Sequence, residues 1–174
     1  MVYTTQYFSP LGPITLACDE TAIIGLWFNK QRYFGNILPL QGIDVVLDAF
    51  RLLDQYANLY FICIGPIQDD KLSAPRPISS SIRYIDWLSQ EDLARCIVMA
   101  DLCMAGHFNG HIGKARRTIP GKAYIYQAMQ KPMILGDSPA NHELFKESND
   151  ILFVEMGNSH ALANGIIEWT KRHA

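Results

Sequence analysis

Residues 82–105, IRYIDWLSQEDLARCIVMADLCMA, decide the fold. Ile82–Leu88 is a short apolar run rich in β-branched and aromatic residues, which predicts a strand. Ser89-Gln90-Glu91-Asp92 then supplies an N-capping hydroxyl and an acidic first turn. Those signals predict a helix through about Met99. Asp101–Ala105 returns to a strand-like pattern. Strands buried on both faces and separated by helices indicate a parallel sheet with helices on each side.

The same alternation extends outward in both directions. Towards the C-terminus, Pro120 at a helix N1 position starts a predicted helix to about Gln130. Met133–Gly136 follows as a strand, Asn141–Lys146 as a short helix and Ile151–Glu155 as a strand. Ser159–Lys171 is a final amphipathic helix. Towards the N-terminus, Leu59–Gly65 is a continuous apolar strand and Ile43–Leu53 carries apolar residues at helical spacing. Lys30–Phe34 is expected to be the first parallel strand. Between Gly65 and Ile82 the sequence is loop-like, with at most a short helix over Ile67–Leu72. The predicted class is α/β, a Rossmann-like doubly wound parallel sheet, which places ligands at the carboxyl ends of its strands.

Ahead of this lies a different rhythm. Val2–Phe8, Ile14–Cys18 and Ile23–Phe28 are β-type runs separated by turn signals such as Ser9-Pro10-Leu11-Gly12, which predicts an antiparallel meander. Residues 1–34 are therefore expected to form a β leader and residues 35–174 the Rossmann-like domain. Leu11–Phe28 is expected to pack against a sheet edge or helix, covering Ile24, Leu26 and Trp27.

Composition narrows the function classes. Hydrophobic residues make up 49% and charged residues 18% of 174, enough to bury a core. The net charge of −2 offers no global field for nucleic acid. No apolar run is long enough to span a bilayer, and MVYTTQYF lacks the charged and apolar regions of a signal peptide. Cys18, Cys63, Cys96 and Cys103 have no metal-ligand spacing, and three of them sit in apolar stretches. The expected compartment is a reducing cytoplasm, with peripheral attachment to a membrane left open.

Charge is not evenly spread. From Leu102 to Gly136 there is no acidic residue, while Lys114, Arg116, Arg117, Lys122 and Lys131 all lie inside. Basic side chains on a glycine-bearing loop that enters a helix N-terminus suit phosphate; a solvated surface loop is the alternative. His107 and His111 have the spacing of paired metal ligands, but HFNGH reads as a loop, with no acid in the window to complete a site. No metal is expected there, and His107 is expected to hydrogen-bond a ligand. The segment Gly35–Gly42 is neither a Walker loop nor GxGxxG, and an ordinary strand–helix turn explains it equally well. There is no nucleophile elbow, no activated cysteine and no carboxylate pair in the basic loop.

Four segments in order, FGNILPLQGIDVVLDAF, YIDWLSQEDLARCIVMADLCMAG, KARRTIPGKAYIYQAM and KPMILGDSPANHELF, resemble the C-terminal donor-binding domain of family-4 retaining glycosyltransferases of the GT-B fold. The resemblance runs from about residue 33 to the C-terminus. It implies binding of a nucleotide-diphosphate sugar as substrate, with no metal or other cofactor. It places Gly35, Gln41, Gly42 and His107 at the binding edge, with Trp87 beside the base. Lys114, Arg116, Arg117 and Lys122 would surround the diphosphate, and the helix starting at Pro120 would face ribose and phosphates. Two family glutamates seven residues apart fall here on Arg117 and Ile125, or the second on Gln127 if two residues are deleted. Gln130 replaces a usual glycine and Gln41 a frequent lysine. Since such enzymes bind acceptor with a separate N-terminal domain, weak or absent transferase activity is expected of this chain alone. A partner protein would then supply the acceptor side.

The opening YFSPLGPITLACDETAIIGLWFNKQRYF resembles instead the N-terminal meander of methylated-DNA–protein cysteine methyltransferases. Their Pro-Cys-His-Arg motif and DNA-binding helices have no counterpart here, so alkyl transfer from DNA is not expected. The alternative to a donor-binding role is a non-catalytic interaction module or fusion fragment.

Overall fold

The computed structural model describes residues 3–9, 12–18, 23–28 and 38–173, with side chains at 3–6 and 38–173. The chain divides into two compact units, Met1–Phe34 and Gly35–Ala174. In the first, β1 (Tyr3–Ser9), β2 (Gly12–Cys18) and β3 (Ile23–Phe28) form a three-stranded sheet in sequence order. Both pairings are antiparallel, with Ser9 opposite Gly12 and Ile14 opposite Phe28, and the register slips at Ala17/Cys18. The expected burial of Ile24, Leu26 and Trp27 and the expected strand over Lys30–Phe34 lie outside the described residues and side chains.

The second unit alternates strand and helix as its sequence predicts. Helix α1 (Ile43–Leu53) is followed by β4 (Phe61–Ile64) and β5 (Ile82–Ile85), which pair in parallel. Then come α2 (Gln90–Met99), β6 (Cys103–Gly106), α3 (Gly113–Arg117) and α4 (Gly121–Ala128). The chain ends through β7 (Met133–Gly136), α5 (Pro139–Leu144), β8 (Ile151–Val154) and α6 (Ser159–His173). Strands β6, β7 and β8 form a parallel sheet in that order, and central β7 is buried at every position. This is the Rossmann-like α/β arrangement.

Local chemistry sets the elements. Ser89 Oγ accepts the Asp92 amide at 3.0 Å, and Glu91 and Asp92 stand in the positive first turn of α2. Strand β5 stops at Ile85, short of Leu88. Helix α1 turns Val46, Leu47, Ala49, Phe50 and Leu53 inward, and α6 answers with Leu162, Ala163, Ile166 and Trp169. Phe50 stacks on Phe61 of β4 at 4.1 Å between ring centroids. A Cβ on Gly165 would stand 2.8 Å from Val154 Cγ1, so the absence of a side chain lets α6 lie directly on β8.

The segment after β4 takes the place of a crossover helix with polar tethers. It holds one 3-10 turn, Asp69–Lys71, within the range expected for a short helix. Ser73 donates from both its amide (2.9 Å) and its hydroxyl (2.8 Å) to Asp44 Oδ1 on α1. Arg51 donates to the Pro75 carbonyl, and Tyr84 to that of Pro77. Arg76 pairs with Asp69 through two N–H groups and lies over the Tyr84 ring.

Candidate functional site

Three loops meet beyond the carboxyl end of β6. The amide of Phe108 donates to the Gln41 carbonyl at 3.1 Å, and the Phe108 carbonyl accepts from Gly157 at 2.6 Å. Asn109 is the clamp. Its Nδ2 donates to the Pro39 carbonyl at 3.0 Å, while its Oδ1 accepts the amides of His111 (2.8 Å) and Ile112 (3.2 Å). That Asx turn launches α3. Gly42 has φ +69°, and a Cβ there would stand 2.6 Å from the Asn109 amide nitrogen. Gln41 and Gly42 therefore shape the site through backbone, as a seat for residues 106–109. Gly35 lies outside the described residues.

His107 follows β6 and is only 8% exposed, and its Nδ1 has no hydrogen-bond partner among the described residues. Burial, then the positive charges of Lys122 and Lys114, push its pKa down to about 4, so the ring is neutral at physiological pH. Lys122 stands in the first turn of α4, and burial lowers its pKa too, with the Cys63 and Cys103 thiols opposing the shift. Burial raises both of those thiols. The positive charges of Lys122 and Lys114 thus bear on a neutral His107 at the end of β6. Pro120 is the N-cap of α4 rather than its first helical residue, and no side chain caps the helix there.

Arg116 and Arg117 face elsewhere. With Gly113, Pro139, Ala140 and Glu143 they line a cavity of about 340 Å³ between α3 and α5. The basic window is therefore two groups, not one. Lys131 belongs to neither, because it donates to the Val98 carbonyl at the end of α2 at 2.9 Å. Trp87 is 64% exposed in the turn between β5 and α2. Gln127 and Ile125 are exposed on α4, while Tyr126 between them is buried.

Sequence reasoning missed three contributors. Asn109 was detectable in principle, since Asn-Gly is a turn dipeptide. Glu143 was hidden because α5 brings it to α3 only in three dimensions. Asn141, 1% exposed, donates to the Gly136 carbonyl at 2.8 Å and fixes the turn after β7. No group of three or more His, Cys, Asp or Glu placed to hold a metal occurs among the described residues. No described helix is long and apolar enough to cross a membrane.

A family model described as glycosyl transferases group 1 matches residues 31–172. The chain belongs to the group 1 glycosyl transferases. Strands β4 to β8 and helices α1 to α5 lie inside that match, as does α6 but for its last residue, His173. A second model, the ribonuclease-like domain of 6-O-methylguanine DNA methyltransferase, matches residues 1–58. It covers the meander and continues through α1, overlapping the glycosyl transferase match, so the likeness reaches further than the opening strands. No curated protein matches the chain.

Proposed function

We propose that residues 35–174 bind the nucleotide-diphosphate sugar used by a retaining glycosyltransferase. The observation that carries this is the buried, unpartnered His107 Nδ1 at the end of a parallel strand, followed along the chain by Lys114 on α3 and Lys122 on α4. Two ammonium groups and the open first turn of α4 offer positive potential to a diphosphate. A neutral His107 adds a hydrogen bond without adding charge. Trp87, exposed in the turn between β5 and α2, offers a flat face to the base. Charge neutralisation by these groups takes the place of a metal, and the diphosphate leaving group is stabilised as it departs.

Thermal shift with uridine, guanosine and adenosine diphosphates at millimolar concentration tests this. A ligand at a hundred times its Kd stabilises by about 2.7 kcal/mol, a readily measured rise in Tm. Lys122→Ala is expected to remove most of the shift. No stabilisation by any of the three would overturn donor binding.

A non-catalytic binding module is the second reading, favoured by Arg117 and Ile125 standing where the family has glutamates, or Gln127 in place of the second. A partner protein would then supply the acceptor surface. Release of free sugar from a bound donor, followed by the anomeric form of the product, separates a retaining enzyme from a module that only binds.

A further inference from the structure

We infer that the cavity between α3 and α5 is a carboxylate subsite, so that the transferred sugar is an acidic one, a uronic acid. This rests on the nucleotide-sugar reading and gives that sugar its chemical class.

Two guanidinium groups, Arg116 and Arg117, line this one cavity. Among the described residues neither is ion-paired or hydrogen-bonded, as is also true of Arg83, whereas Arg51, Arg76, Arg95 and Arg172 each have a carboxylate partner. Arg117 is folded back over Gly113. A Cβ on Gly113 would stand 3.3 Å from Arg117 Nη1, so glycine there leaves the guanidinium room against the helix. Lys114, the third basic residue of α3, acts on His107 instead. With no carboxylate partner of their own, the two guanidinium groups are free to take an anionic ligand.

The identity of that anion follows from the wall opposite. Glu143 is the acid lining the cavity, so two positive charges and one negative leave a single net positive charge. A monoanionic carboxylate balances it. Guanidinium forks bind a planar carboxylate through paired N–H donors. The Glu143 carboxylate accepts hydrogen bonds and so suits hydroxyl groups on the same ligand. A ligand bearing both a carboxylate and hydroxyls is a sugar acid. A volume of about 340 Å³ is at the small end of ligand cavities, enough for one sugar ring but not a whole sugar nucleotide.

The test is calorimetric titration of the full chain with uridine diphosphate, its glucose conjugate and its glucuronic acid conjugate, and with the matching guanosine series of mannose and mannuronic acid. Free glucuronate is the control for a carboxylate that needs no nucleotide. The wild type is expected to bind the acidic conjugate at least tenfold tighter than the neutral one. Arg116→Gln with Arg117→Gln should erase that preference and leave nucleoside diphosphate affinity unchanged. Glu143→Gln should widen the preference, giving an independent check with an opposite sign. Equal wild-type affinity for acidic and neutral conjugates overturns the inference, as does a preference that survives the double variant. Weaker binding of the bare diphosphate in the arginine variant also overturns it, because the pair would then hold phosphate while donor binding stands. Tight binding of free glucuronate alone, with no nucleotide binding, overturns the donor reading itself.

Discussion

The same residue type stands mid-strand in both parallel sheets of the second unit, in opposite settings. Ile134 of β7 is 0% exposed, held between flanking strands and the helices above. Ile62 of β4 is 53% exposed, and the segment following its strand is tied down by hydrogen bonds to Asp44 and the Pro75 carbonyl. Strand β7 is removed from water at every position, whereas β4 buries Phe61 against Phe50 and leaves Ile62 to solvent, so apolar burial covers that strand on one side alone. The end of the packed sheet is where loops 38–42, 106–112 and 156–157 are pressed together. A rigid support holds the polar groups of the site in place, whereas the solvated segment carries none of the Lys114–Lys122–His107 group.

Substitutions in the two sheets turn that contrast into measurements. Ile134→Ala is expected to cost about 4 kcal/mol by denaturant unfolding, as a buried large-to-small change that leaves a cavity. A cost near 1 kcal/mol would show that β7 is not the packing centre. Next comes pH. His107 has a folded pKa of about 4 against 6.5 unfolded, so below 6.5 the unfolded chain takes up a proton that the folded chain refuses. Stability is therefore full above pH 6.5 and falls as pH drops towards 4, by an amount on the order of 2 kcal/mol. His107→Gln should flatten that slope in urea titrations run across the window, and an unchanged slope would assign it to another group. Gly165→Ala should cost roughly 2 kcal/mol, because its Cβ meets Val154 and α6 must lift from β8. Ile62→Ala and Ser73→Ala should each cost about 1 kcal/mol or less, being surface truncations. If either matched Ile134→Ala, the two sheets would not differ as described.

Local signals were sufficient for most elements of the second unit. Ser89 with Glu91 and Asp92 marks the start of α2 in sequence and in space, because capping acts between residues three apart. The periodicity of Ile43–Leu53 names the same inward face that packs on α6. Helix α3 escaped notice because it has five residues and depends on Asn109, four positions before it, to start. Strand β5 ends sooner than the run Ile82–Leu88 predicts, because Asp86, Trp87 and Leu88 have no pairing partner after Ile85.

The candidate site was legible as a list but not as an arrangement. The acid-free window named Lys114, Arg116, Arg117 and Lys122 as basic residues near one another. Only the fold shows that Arg116 and Arg117 line the cavity between α3 and α5 with Gly113, while Lys122 stands on α4. The histidine read as a ligand contact is buried with a free ring nitrogen, a property of its neighbours and not of its own residue type.

By itself the sequence determined the alternation of strands and helices, the parallel sheet, the capped start of α2 and the family. These depend on hydrophobic period and on hydrogen bonds between near neighbours. Only the tertiary structure decided that Arg116 and Arg117 share a cavity with Glu143, and that Asn109 and Gly42 lock the loops together. Those facts depend on distances between residues far apart in the chain, which folding sets through packing against elements elsewhere.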